Sequence, residues 1–210
     1  MMGARGQAGA RDSVLAYTDS TGDDMRMLHS DIWGNEAHTL MLGAQGIVPA
    51  EDVREILRAL QHARREADAG EFVMDERLED VHMNVEAYVS GIAGAQSGGR
   101  MHTARSRNDQ VLTDARMTIR EELLDLEAMT CELANAFLAR AAEHAHAVMP
   151  GYTHTQHAQP ITLGFWATAY AALFVEDLRR IKACYAPVNR NPLGACALAG
   201  TDFPIDRDLT

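Results

Sequence analysis

Cysteine is scarce in this 210-residue chain: Cys131, Cys184 and Cys196 are its only thiols. An odd count without paired spacing excludes a disulfide framework and predicts reduced thiols in a reducing, cytoplasmic setting. Positive charge is also short. Lys plus Arg gives 19 against 30 acids, a net charge of −11, and Lys182 is the only lysine. An acidic surface repels nucleic acid and anionic membrane alike, so neither is expected as a partner. No apolar run is long enough to span a bilayer. Met1 to Arg11 holds two arginines and three glycines but lacks the apolar stretch of a secretory signal, which predicts a floppy terminus. A phosphate-binding glycine loop, a nucleophile elbow and a CxxC pair are all missing. His144-x-His146 and His154-x-x-His157 are the close histidine pairs, and neither has a Cys or carboxylate at a familiar ligand spacing, so no metal and no cofactor is expected. What remains is 47% hydrophobic residues, enough for a globular chain with a sizeable core.

The periodicity is helical. Residues 1 to 22 read as an irregular lead-in. From Asp23 to Gln45, Leu28, Ile32, Trp33, Ala37, Leu40 and Met41 recur at helical steps, until Gly46 and Pro49 stop the run. Glu51 and Asp52 suit the first turn of a second helix, whose stripe of Val53, Ile56, Leu57, Leu60, Ala63 and Ala67 ends at Gly70. A third helix is predicted over Glu76–Val89. Ser90–Arg107, punctuated by four glycines, reads as a long loop and a domain boundary.

No Gly or Pro then occurs between Asp109 and Val148, and Leu112, Ile119, Leu126, Met129 and Leu133 track steps of three and four. Such a helix would be roughly 55–60 Å long, which implies a long bundle or coiled coil. Pro150 and Gly151 end it. A polar stretch leads through Pro160 into another helix, with Leu163, Trp166, Ala167, Tyr170, Leu173, Phe174, Leu178 and Ile181 on its stripe. No β-alternation of useful length is present, so the class is all-α. A small N-terminal helical domain, residues 1–105, precedes the first part of a bundle of long antiparallel helices, residues 106–210. Two such helices cannot cover each other's stripes, so further helices must come from other chains or other sequence.

Two polar segments can carry chemistry. Gly99 to Gln110 offers three arginines, a hydroxyl, an amide and a histidine just before a long helix. Arginine forks match carboxylates, and backbone N–H groups at a helix start add to an anion site. A solvated, salt-bridging loop is an equal reading of the same residues. Pro150 to Pro160 contains His154, a candidate acid or base, with Thr153, Gln156 and Gln159 able to orient a substrate. A plain polar turn is its structural alternative.

Met101-His102-Thr103-Ala104-Arg105-Ser106-Arg107-Asn108-Asp109-Gln110-Val111 resembles the Ser-Arg-Asn-Asp segment of argininosuccinate lyases. Pro150 to Pro160 resembles the same family's "PGYTHLQ-AQP" segment. Pro192-Leu193-Gly194 with Ala197-Leu198-Ala199-Gly200 resembles "PLGSGALAG", and Glu79-Asp80-Val81-His82 resembles "EDIH". The four matches fall in order over roughly residues 17 to 210. The wider fumarase and aspartase superfamily shares the histidine turn, whereas the Ser-Arg-Asn-Asp run favours argininosuccinate lyase within it.

The resemblance implies a reversible β-elimination that splits argininosuccinate into arginine and fumarate without metal or organic cofactor. It places His154 in the acid/base pair, with Thr153 and Gln159 at the substrate. Ser106, Arg107 and Asn108 would hold the carboxylate end, and Ser20 matches a substrate-binding serine. Asp80 and His82 are further candidates in a nearby loop. It also implies a homotetramer, or association with a C-terminal half, because the family's sites form where subunits meet. The family's "GSSxMPxKxNP" loop, which carries the other catalytic residue, has no counterpart here. This reading makes the chain an N-terminal half that is incomplete or inactive alone. Ala104 stands where a glycine is usual, Asn35 where a serine is usual, and Cys196 where a glycine is usual. The alternatives are a related superfamily lyase acting on another succinyl compound, or a non-enzymatic helical assembly module.

Overall fold

The computed structural model describes Tyr17 and residues 20–210; the start of the expected lead-in lies outside the described residues. The chain divides into two compact units. One runs up to Thr118 and includes Asn191–Thr210, and the other is Ile119–Arg190.

In the first unit a helical turn at Thr21–Asp24 and a 3₁₀ turn at Met25–Met27 lead into α1, Leu28–Ala44. Helix α2 is Ala50–Ala69. Pro49 sets its entry, Glu51 and Asp52 occupy the first turn, and Gly70 closes it at φ +70°. The Glu71 and Gly70 N–H groups donate to the Glu66 and Ala67 carbonyls, satisfying the last turn. Helix α3, Val81–Ala93, starts later than its apolar pattern suggested. The Asp80 carboxylate accepts from the Met83 N–H at 2.6 Å and fixes the start, while Asp75–Asp80 stays a turn anchored by Asn84.

The expected long loop at 90–107 is a correction. It is mostly helical: α3 runs to Ala93, α4 spans Ala95–Gly99 and a 3₁₀ turn spans Arg100–His102. Of the four glycines there, Gly98 serves close packing. A Cβ on Gly98 would lie 2.6 Å from the Ser90 Cα, so only glycine lets α4 lie back on α3. Leu28, Ile32, Ile56, Leu60, Phe72, Val81, Val85, Val89 and Met101 form the main core. Each such side chain contributes about 1.5–3 kcal/mol when removed from water. Met41, Leu42 and Val48 make a second cluster that Ala104 and Ile205 complete.

Helix α5, Arg107–Glu143, has 37 residues and is about 55 Å long at 1.5 Å per residue. The sequence pattern carried it on to Pro150, but it stops at Glu143, because His144–His146 form a turn and β1 begins at Val148. The second unit contains most of α5, a hairpin of β1, Val148–Thr153, and β2, Gln156–Thr162, and α6, Leu163–Val188. The hairpin is a local addition to an otherwise helical chain. Pro150 lies opposite Pro160, Tyr152 opposite His157 and Thr153 opposite Gln156, with a bulge at Gly151. Neither proline has an N–H to donate, which weakens the ladder where they face each other. Phe137 on α5 packs against Trp166, Tyr170 and Phe174 of α6 at ring-centre distances of 6.1, 5.7 and 5.5 Å. Much of these helices' other apolar surface is open: Met129, Phe165 and Leu173 are each at least 60% exposed, while Ala134, Ala141, Ala167 and Ala171 are buried. No helix among the described residues is long and apolar enough to cross a membrane.

Candidate active site

The predicted site residues fall into two groups, one in each unit. In the first, Ser106 opens α5. Its hydroxyl accepts from the Asn108 N–H at 3.3 Å, and its own N–H donates to Asp109 at 3.1 Å. This reciprocal cap leaves the start of α5 well defined. Arg107 is partly exposed. Its guanidinium donates to Gln110 at 2.9 Å, and it faces Glu86 at 3.4 Å and Asp80 at 3.7 Å. These carboxylate contacts orient the fork without closing tightly on it. Asn108 donates to the Ala197 carbonyl at 2.9 Å.

Ser20 belongs to the same neighbourhood. Its N–H donates to the Glu79 carbonyl at 3.2 Å and its hydroxyl to Asp24 at 2.6 Å. Asp80 follows directly, capping α3 with one oxygen and facing Arg107 with the other. A chain of contacts therefore links Ser20, the 79–80 turn and the opening of α5.

The second group lies on the hairpin. His154 and Thr155 are its two-residue loop, with φ of +50° and +63°. Two positive φ values match the turn whose twist suits a tight hairpin. His154 is exposed at the tip. Thr153 and Gln159 line a cleft of about 340 Å³ with Tyr152, Ile161, Met149 and Trp166.

Beneath the first group is a polar network that the sequence pattern did not single out. Asp31 on α1 accepts from His82 Nδ1 at 2.7 Å, Gln110 Nε2 at 2.6 Å and Asn35 Nδ2 at 2.9 Å. Arg105 donates to the Asn35 side-chain oxygen at 2.5 Å, and Asp114 Oδ2 lies 3.4 Å from His82 Nδ1. Asp31, Asn35, His82 and Asp114 are all within 5% of complete burial. Burial alone would raise the Asp31 pKa, but the His82 hydrogen bond and charge and the Arg105 charge outweigh it and hold that carboxyl below its usual range. Burial and the neighbouring Asp31 charge push Asp114 well above that range. Asp31 is thus the carboxylate and Asp114 the protonated acid. His82, a candidate for substrate contact in the sequence, is instead a buried strut between α1 and α3. Burial, then the Arg105 charge, lowers His38 and His102 to a pKa of about 4.

Asp31, His82 and Asp114 are the one set among the described residues that could coordinate a metal, with ligand atoms within 4.8 Å of one another. The positive charge of Arg105 already acts on the Asp31 carboxylate and on Asp114 beside it, so a guanidinium balances the network.

A family model for lyases matches residues 7–210. The chain belongs to this lyase family. It is 45% identical over all its 210 residues to the argininosuccinate lyase of Chelativorans sp. (strain BNC1), and spans 44% of that protein's length. Among solved structures it resembles an EDDS lyase variant with bound fumarate, at 34% identity and a TM-score of 0.76, over 88% of this chain and 36% of that one. The fold also matches a fumarate lyase:delta crystallin from Brucella melitensis bound to cobalt. There the identity is 20% and the TM-score 0.73, over 89% of this chain and 44% of that one. The predominantly helical class expected from the sequence agrees with these relatives.

Proposed function

We propose that this chain is part of an argininosuccinate lyase, a C–N lyase releasing fumarate and arginine by β-elimination. The observation that carries the reading is the 45% identity to an argininosuccinate lyase along the whole chain. The arrangement of Ser106, Arg107 and Asn108 at the capped start of α5 supports it. Arg107 and the first N–H groups of α5 bind a substrate carboxylate. A base takes a proton from the carbon next to a carboxylate, leaving electron density delocalised onto that carboxylate. The C–N bond then breaks, the C=C bond of fumarate forms, and an acid protonates the departing guanidino nitrogen. His154 is one member of this acid/base pair; its exposed place at a tight hairpin tip lets it project into a site built with other segments. Thr153 and Gln159, beside the adjoining cleft, contact the substrate, and Ser20 does so from the 79–80 side.

The second catalytic residue comes from outside these 210 residues, so the chain alone has no ordinary turnover. The open apolar faces of α5 and α6 are covered by further helices in a homotetramer or by the remainder of the polypeptide. The similarity to EDDS lyase favours a second reading, a related lyase acting on another succinyl-bearing amine. Fumarate release by the full-length protein, measured with argininosuccinate and with other N-succinyl amines, separates the two. Preference for another amine refutes the first. Undiminished turnover in a His154→Ala variant removes His154 from the chemistry, and no turnover of any such compound leaves the assembly-module alternative.

A further inference from the structure

We propose that Asp109 is a positioning residue that locks the carboxylate-binding segment Ser106–Asn108 against the turn at 194–197. The inference rests on the reading of Ser106, Arg107 and Asn108 as substrate-binding residues and adds a residue to which no role was assigned. Asp109 is 3% exposed. One of its oxygens accepts from the Ser106 N–H at 3.1 Å. The other accepts from two backbone N–H groups distant in sequence, Gly194 at 2.9 Å and Cys196 at 2.6 Å. Asn108 Nδ2 reaches the Ala197 carbonyl at 2.9 Å, so a second bond ties the same two segments in parallel.

Three N–H groups converge on one carboxylate, and both oxygens must accept. An amide at this position has a single acceptor oxygen. If that oxygen keeps the Ser106 cap, the NH₂ group faces two further donors and the 194–197 turn is released. The turn also carries the acceptor for Asn108, so its release frees Asn108 to move. Ser106, Arg107 and Asn108 then lose the fixed geometry that a planar carboxylate needs for recognition.

The test is Asp109→Asn in the full-length protein, read by steady-state kinetics on argininosuccinate and by hydrogen exchange of the peptide covering 192–200. The expected result is a KM raised at least about tenfold with kcat within about threefold, the pattern of binding lost equally in ground and transition states. Faster exchange of the 192–200 peptide accompanies it. An unchanged KM overturns the proposal, whether kcat holds or falls with the folded fraction. Should the variant fail to fold, exchange in the wild type decides. Slow Gly194 and Cys196 amides support the clasp, and amides exchanging as freely as exposed backbone overturn it. Wild-type protein that does not consume argininosuccinate refutes the functional reading and this proposal with it. Wild-type turnover with an unaltered variant KM refutes the proposal alone.

Discussion

The two aspartates of the buried network should respond very unequally to the same substitution. Asp31 accepts three hydrogen bonds, from His82, Gln110 and Asn35. Asp114 Oδ2 is buried without a hydrogen-bond partner. Geometry and charge therefore agree that the negative charge resides on Asp31. Asp31→Asn removes that charge beside buried Arg105 and replaces one acceptor oxygen by an NH₂ group that faces donors. Breaking a buried ion pair from one side costs about 3–5 kcal/mol. Asp114→Asn replaces a neutral acid by a neutral amide of nearly the same shape, which can still donate toward Asp31. Its cost should stay within about 1 kcal/mol. At about 2–4 °C per kcal/mol for a chain of this length, Tm should fall by about 6–20 °C for Asp31→Asn and by at most about 4 °C for Asp114→Asn.

The pH dependence carries a further sign. A carboxyl held below 3.8 contributes stability that is present above that value and is lost as pH falls through its native pKa, which is the case for Asp31. Asp114 behaves oppositely. Between 3.8 and its raised native pKa the folded chain keeps a proton that the unfolded chain has lost, so stability declines as pH rises. Asp114→Asn abolishes that decline and flattens the profile on the alkaline side of 3.8. Thermal melts of the wild type and both variants across this range provide the comparison. Equal losses from the two variants, or a larger loss from Asp114→Asn, would refute the assignment of charge.

Gly98→Ala should destabilise by about 1–3 kcal/mol, because its methyl would enter the backbone of Ser90; a neutral effect in denaturant titration would mean α4 can move away. Asp80→Ala should cost about 1 kcal/mol through loss of the α3 cap, and a melt indistinguishable from wild type would contradict the capping role. Cys196 has a φ of +53°. Cys196→Gly should relieve roughly 1–2 kcal/mol of left-handed strain, less about 0.4–1 kcal/mol for greater unfolded-state freedom. The expected net gain lies between zero and about 1.6 kcal/mol, and a lowered Tm would show that the thiol's contact with Ala104 outweighs the strain.

Helices α2, α5 and α6 were legible because their stripes are long, and the stop of α2 is explicit at Gly70, whereas α5 ends at Glu143, ahead of the Pro150 that the sequence offered as its stop. The buried side of α1 was not. Trp33 and Leu40 carry its apolar pattern yet are more than half exposed, whereas Asp31, Asn35 and His38, spaced by four and three, are buried. A hydrophobicity pattern assigns polar residues to solvent and cannot register a face whose partners are other polar side chains. The hairpin escaped for a related reason. Its strands are largely exposed, so neither face imposes alternation, and two prolines disguise it. The candidate segments at 106–108 and 153–159 stood out by composition. Asp109 did not, because its partners lie 85 and 87 residues away in the chain.

Two departures from the family pattern are a single structural event. Ala104 and Cys196, which the family resemblance sets at glycine positions, both have positive φ, +60° and +53°. Each β-carbon therefore adds a penalty of roughly 1–2 kcal/mol that glycine avoids. The two residues also touch, the Cys196 thiol donating to the Ala104 carbonyl at 3.3 Å. Both adjoin the Asp109 carboxylate's partners: Ala104 lies two residues before Ser106, and Cys196 is itself one of the three N–H donors. Strained backbone persists only where its surroundings over-determine it. Here the surroundings are the Asp109 hydrogen bonds, the Asn108–Ala197 bond and the packing of Ala104 on Met41, Leu42 and Val48. The bonds that hold the strained backbone also fix Ser106 and Asn108. Substituting glycine at both 104 and 196 should therefore raise stability without moving the proposed substrate-binding segment, while loss of the Asp109 carboxylate should release both.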